Sequence, residues 1–115
     1  YAIEATCHAS DPVGCFKELL RVIKPGGVLA LYEWTLTDKY DANNAEHRHI
    51  AHLIEVGNGL PFTRDHHVVE KALVKAGWEV QVNRDISDDY ELPWHAPFLE
   101  VGALPRWIQL LCAVC

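Results

Sequence analysis

The sequence predicts an α/β fold, layers of helices on a mostly parallel sheet. Two observations carry this expectation. Residues 1–32 read as strand, helix, strand with a short Pro25-Gly26-Gly27 return, the signature of a right-handed crossover between parallel strands. Residues 28–31 form a continuous apolar run leading into Tyr32, as central strands buried on both faces do.

Each element follows from local chemistry. Residues 1–5 look like the end of a strand. Asp11-Pro12 then supplies an N-cap and a first-turn proline for a helix. Phe16, Leu19, Leu20 and Ile23 recur at i, i+3, i+4 and i+7, which makes one apolar stripe. Lys24 suits the negative end of that helix, and Pro25-Gly26-Gly27 stops it. Asn43 followed by Glu46 resembles a capping box, and Ile50, Leu53 and Ile54 give a second amphipathic helix that ends near Gly57 or Gly59. A third helix is expected to start at Asp65 and to carry Val68, Val69, Ala72, Leu73 and Ala76 before Gly77. Trp78, Val80 and Val82 alternate with Glu79, Gln81 and Asn83, the pattern of a half-covered strand at or near a sheet edge. The expected order is β-α-β-α-α-β. Residues 85–91 are acidic, and beyond Pro93 the chain mixes proline with aromatics and ends apolar at Cys115.

Bulk composition narrows the function classes. The chain has 115 residues, half of them apolar, enough for one modest core. It contains no methionine and opens at Tyr1, so it reads as a fragment. A formal charge of -6 without a cluster of Lys or Arg argues against nucleic acid as a partner. No apolar stretch reaches the ~18 residues of a spanning helix, and no basic-then-apolar leader is visible. Cys7, Cys15, Cys112 and Cys115 read as reduced thiols, and Cys112-Ala-Val-Cys115 lacks the second pair that a metal or redox site would add.

In an open α/β sheet, ligands gather outside the carboxyl ends of the strands, which singles out residues 4–9 and 33–44. The first segment offers Glu4, Cys7 and His8. The second, with Tyr32 just before it, offers Glu33, Trp34, Thr37, Asp38, Tyr40 and Asp41. Carboxylates interleaved with aromatic rings suit a cation, since negative charge and ring faces both favour positive charge in a low-dielectric pocket. The same residues also serve as core, turn and cap formers, and pattern alone leaves both readings open. His47, His49 and His52 share a predicted helix, but no Cys or Asp at ligand spacing completes a set, and His66 and His67 carry less information still. No metal is expected.

Several motifs resemble a known family. Arg21-Val22-Ile23-Lys24-Pro25-Gly26-Gly27 is similar to the turn that precedes the fifth strand of class I methyltransferases. Ile3-Glu4-Ala5-Thr6-Cys7-His8-Ala9 resembles one block of the sterol 24-C-methyltransferases. Tyr32-Glu33-Trp34, followed by Thr37-Asp38, Tyr40-Asp41 and Asn44, resembles a second, and the EVGNGLP stretch at residues 55–61 a third. The sequence departs from the family at Ser10, where proline is common, and at His95, where an aromatic is usual.

The resemblance implies a partial Rossmann-like class I methyltransferase sheet. Residues 1–95 would be the C-terminal half of the catalytic domain and residues 96–115 a divergent tail. It implies S-adenosyl-L-methionine as co-substrate and a delta-24 sterol as partner. The intact enzyme would carry out an electrophilic alkylation in which the side-chain double bond takes the methyl group, a cation forms at carbon-25, and a hydride shift and proton loss follow. The enzyme must align the reactants, keep water from the cation and supply a base. Glu4, Glu33 or Asp38 would provide negative charge, and His8 or a carboxylate would take the proton. Tyr32, Trp34 and Tyr40 would lend ring faces, and Ile3, Glu4 and Ala5 would border the cofactor. The glycine-rich turn that holds the cofactor in this fold is not in the sequence, so the chain alone is expected to lack activity. The family also implies a location at the cytoplasmic face of the endoplasmic reticulum or at lipid droplets, and leaves peripheral membrane association and homo-oligomerisation of the intact enzyme open. The competing readings are another small-molecule C- or O-methyltransferase and a non-catalytic interaction fragment.

Overall fold

The computed structural model describes residues 1–86 together with residues 89 and 91. The divergent tail and the Cys112–Cys115 pair lie outside the described residues.

Strand β1 (Ala2–Ile3) leads through a single 3-10 turn, Thr6–His8, into helix α1 (Pro12–Val22). Strands β2 (Leu31–Tyr32) and β3 (Thr35–Leu36) follow in quick succession. Helix α2 (Ala45–Asn58), strand β4 (Arg64–Asp65) and helix α3 (His66–Ala76) complete the described elements. β1 pairs with β2 and β3 with β4, both in parallel. The α/β class and the parallel pairing agree with the sequence, and the architecture is a small α/β unit of two short parallel ribbons and three helices.

Helix ends are set by the residues that local chemistry favours. The Asp11 carboxylate accepts from the Gly14 amide at 3.0 Å, and Pro12 occupies the first helical position. Asp65 caps α3 by accepting from His67 N at 2.7 Å. The cap of α2 is Asn44 rather than the expected Asn43, its side chain accepting from the amides of Glu46 and His47. Asn43 instead donates its amide to Asp41 in the preceding turn. Gly59 and Gly77 end α2 and α3 in the left-handed region, with φ of 63° and 106°, where a side chain is disfavoured.

The core lies between α1 and α3. Phe16 is 2% exposed and packs with Ala72 and Ala76, flanked by Leu19, Val69 and Leu73. Burying a phenylalanine contributes about 1.5–3 kcal/mol, so this contact anchors the two helices. Trp78 joins it, its indole N–H donating to the Phe16 carbonyl at 2.9 Å.

Two expected strands differ. The run at residues 28–31 was expected to be buried on both faces, yet pairing begins only at Leu31 and Val28 is 81% exposed. Apolarity records which surface favours burial, and here β1 alone pairs with this segment among the described residues. Residues 78–82 form no strand: Val82 is 75% exposed, and no described strand lies in register with them. The Trp78 indole draws the start of this segment onto α1 instead. Among the described residues, no helix is long and apolar enough to cross a membrane.

Candidate active site

The carboxyl ends of β1 and β2 are joined by one side chain. Glu33 follows β2, and its Oε1 accepts from the Thr6 amide at 2.8 Å and the Thr6 hydroxyl at 2.6 Å, while Oε2 accepts from the Cys7 amide at 3.0 Å. These amides begin the 3-10 turn and have no partner within it, so a carboxylate there satisfies donors that would otherwise stay open. The Glu33 charge is thereby committed to fixing the turn. Burial, and then the neighbouring Glu33 carboxylate, push the Cys7 thiol up to about 11.

Glu4 sits between the strand and the turn with φ of 49°, the one non-glycine residue with positive φ among those described. Such a conformation costs on the order of 1 kcal/mol and persists where surroundings impose it. Its amide donates to the Tyr32 carbonyl at 2.7 Å, which continues the ladder while leaving the Glu4 side chain exposed. Ile3 is 61% exposed and Ala5 is also exposed, so the three residues expected to border a cofactor form an open, acidic strand tip.

Arg64, which the sequence reading passed over, is the one buried charged residue described. Its guanidinium donates to the carbonyls of Cys7 at 3.2 Å, Ala9 at 2.5 Å and Ser10 at 3.4 Å, and it lies 4.2 Å from the centre of the Phe62 ring. A planar fork of donors matches this row of carbonyls, and the ring supports it from the side. No local pattern announces such a role, because the partners lie 54–57 positions upstream.

The EVGNGLP stretch acts as a helix terminator. Glu55 accepts from the Thr63 amide at 2.7 Å, the Leu60 amide bonds the Glu55 carbonyl at 2.9 Å, and Leu60 is buried. His8 Nδ1 lies 3.3 Å from the Gly59 carbonyl, linking the 3-10 turn to this loop.

The expected aromatic residues occupy three places. Tyr32 is 44% exposed on β2, in register with Ile3. Trp34 is half-buried and lines a small apolar cavity with Phe16, Leu60, Phe62, Thr63 and Val69. The Thr63 hydroxyl is buried without a hydrogen-bond partner among the described residues. Tyr40 is half-buried with its ring centre 6.2 Å from that of His47.

Asp38 stands apart from Glu4 and Glu33, beyond the end of β3. Its Oδ1 is 3.2 Å from His66 Nε2 and 3.5 Å from His67 Nε2. The hydrogen bond from His66, then the charge of the two rings, holds this carboxyl below its usual range.

No protein-family model and no solved structure matches the chain. Curated proteins do. Residues of this chain are 53% identical over 97 positions, 84% of its length, to cycloartenol-C-24-methyltransferase 1 of Oryza sativa subsp. japonica. They are also 53% identical over 98 positions to a sterol 24-C-methyltransferase of Saccharomyces cerevisiae, and 50% identical over 97 positions to the cycloartenol-C-24-methyltransferase of Arabidopsis thaliana. Its relatives are sterol 24-C-methyltransferases. The chain spans 26–29% of the length of these relatives. The resemblance carried by the three sequence blocks is thus matched by whole-segment identity to enzymes of both plants and yeasts.

Proposed function

We propose that the protein containing this chain transfers the methyl group of S-adenosyl-L-methionine to carbon-24 of a sterol side chain, and that the chain is the C-terminal part of its class I methyltransferase sheet. The observation that carries this reading is the convergence of the three family-like blocks on one turn. Glu33 ties the second block to Thr6 and Cys7 of the first, while His8 meets Gly59 of the third. The first two blocks thus share the tips of adjacent parallel strands, where ligands of open α/β sheets gather, and the third, at the end of α2, meets them through His8.

The residues present suit the co-substrate on electrostatic grounds. Ile3, Glu4 and Ala5 give an exposed strand tip with a carboxylate, which favours a positively charged sulfonium. When bound, S-adenosyl-L-methionine supplies an electrophilic methyl group. Glu33 acts in this reading as a positioning residue, keeping the 3-10 turn against β2. Trp34 borders a small, mostly apolar cavity beside Phe16 and Leu60, a surrounding that disfavours water next to its ring. Tyr32 and Tyr40 flank the same segment, His8 and Asp38 are the groups able to accept a proton, and Glu4 and Asp38 are both exposed carboxylates. The same reading carries a location at the cytoplasmic face of the endoplasmic reticulum or at lipid droplets.

The test is product analysis. The intact protein is given methyl-labelled S-adenosyl-L-methionine and a delta-24 sterol, and label at carbon-24 is sought by mass spectrometry. Glu4→Gln is expected to lower kcat, and Glu33→Gln to lower it through misplacement of the turn. Unlabelled sterol, or near-normal turnover in both variants, overturns the reading.

A further inference from the structure

We propose that Asp38, His66 and His67 form a binding site for a divalent transition-metal ion of the zinc class. The proposal rests on how two parallel strands end, and with the ion bound it leaves His8 rather than Asp38 as the proton acceptor of the methyl-transfer reading.

The register of β3 and β4 places Leu36 opposite Asp65. Two residues beyond Leu36, the chain turns, with the Tyr40 amide donating to the Thr37 carbonyl at 3.0 Å, and Asp38 rides on that turn. Directly beyond Asp65, α3 begins with His66 and His67, the Asp65 side chain being occupied as its cap. Parallel pairing therefore delivers a carboxylate from one strand end and two imidazoles from the other to the same spot. Neither histidine signalled this in the sequence, because the third ligand is 28 positions upstream of His66.

The geometry fits a metal. Both Nε2 atoms address the same Asp38 oxygen, at 3.2 and 3.5 Å, and the three donor atoms all lie within 4.8 Å of one another. For metal–ligand bonds of about 2.0–2.1 Å, adjacent ligands of a tetrahedral ion are separated by about 3.3–3.4 Å. The two separations from Asp38 bracket that edge, and the third, between the imidazoles, lies within 4.8 Å. The imidazole centres are 3.8 Å apart, so the two rings lie side by side at the start of α3.

Donor chemistry sets the class of ion. Two imidazoles and one carboxylate suit zinc, cobalt or nickel, whereas calcium and magnesium prefer all-oxygen sets. The Asp38 and His67 side chains are 79% and 56% exposed, which leaves an entry path and coordination positions for water. Among the described residues no other group of three His, Cys, Asp or Glu side chains converges in this way, and His49 and His52 of α2 do not join it. A bound ion would pin the turn after β3 to the start of α3.

The test is titration of the full 115-residue chain, freed of metal by chelation, with zinc by calorimetry and with cobalt by visible absorption. One saturable equivalent and a cobalt d–d band are expected. His66→Gln/His67→Gln should abolish both signals, and Asp38→Asn should weaken binding by at least the roughly 10–100-fold that loss of an outer partner costs at known sites. His49→Gln/His52→Gln should bind as the parent does. Asp38 is exposed, so Asp38→Asn keeps the test usable should the double variant lose its circular-dichroism signal. Absence of saturable binding, binding unchanged in Asp38→Asn, or binding lost in His49→Gln/His52→Gln would overturn the proposal.

Discussion

The two parallel ribbons end in carboxylates with opposite fates. Beyond β2, Glu33 is half-buried and both its oxygens are taken by the amides and hydroxyl of the 3-10 turn. Beyond β3, Asp38 is exposed and faces two imidazoles at the start of a helix. One carboxylate holds architecture in place, and the other keeps its lone pairs toward solvent and titratable partners. Position at a strand tip alone therefore does not assign chemistry; what each oxygen already accepts decides which acid remains available.

This contrast is sharpest where the turn is most constrained. Arg64 supports the Glu33 side of the molecule from beneath, with three backbone carbonyls on one buried guanidinium. Arg64→Ala leaves those acceptors without a donor and is expected to lower unfolding free energy by about 3 kcal/mol in urea titration. Arg64→Lys should recover only part of this, since an ammonium cannot present the same planar fork. An Arg64→Ala chain as stable as the parent would break the view that the first tip is structural.

Glu33→Gln is the next largest effect. The amide oxygen can still accept from Thr6, but the amide nitrogen then faces the Cys7 N–H as donor against donor. A loss of about 1–2 kcal/mol follows from two charge-assisted bonds weakened and one removed. The loss should appear in urea titration and as faster hydrogen exchange at the amides of Thr6 and Cys7.

The two tips also show what a sequence makes legible. Caps at Asp11 and Asp65, the stripe through Phe16, and the glycine stops at Gly59 and Gly77 were readable because each depends on neighbours within a turn or two. The candidate segments at residues 4–9 and 33–44 were readable from strand order. The β3–β4 pairing was not, since strands of two residues carry no period, and β4 is the Arg-Asp pair just ahead of a helix. Arg64 and the Asp38–His66–His67 cluster were hidden for a related reason: their partners are remote in sequence and meet only in the folded chain. Residues 28–31 and 78–82 misled in the opposite direction, because periodicity states a preference for burial and pairing is a property of what lies alongside.

Cys7 offers a smaller, chemical readout of the first tip. Burial and the adjacent Glu33 raise its pKa from an ordinary 9.0 to about 11. Roughly 100-fold less thiolate than in an unperturbed thiol follows near neutral pH, so alkylation of Cys7 by iodoacetamide should be slowed by about that factor relative to the unfolded chain. The folded state favours the protonated thiol. Its contribution to stability is therefore complete below pH 9.0 and is lost as pH rises through about 11. Rapid alkylation of Cys7 under native conditions would show that the turn opens readily.

The smallest effect belongs to the second tip and has the opposite sign in pH. The Asp38 carboxyl is lowered chiefly by the His66 hydrogen bond and then by the charges of His66 and His67. A depressed carboxyl stabilises the fold above its ordinary value of 3.8, and the contribution disappears as pH falls through the lower folded value. Solvent exposure screens the interaction, so Asp38→Asn should leave urea midpoints nearly unchanged. Its trace should be found instead in the carboxyl titration: nuclear magnetic resonance should show Asp38 of the parent titrating below its ordinary 3.8, and His66→Gln/His67→Gln should return it toward that value. An Asp38 carboxyl that titrates at its ordinary value in the parent would mean that the imidazoles do not hold this acid, and the second tip would then lose the property that separates it from the first.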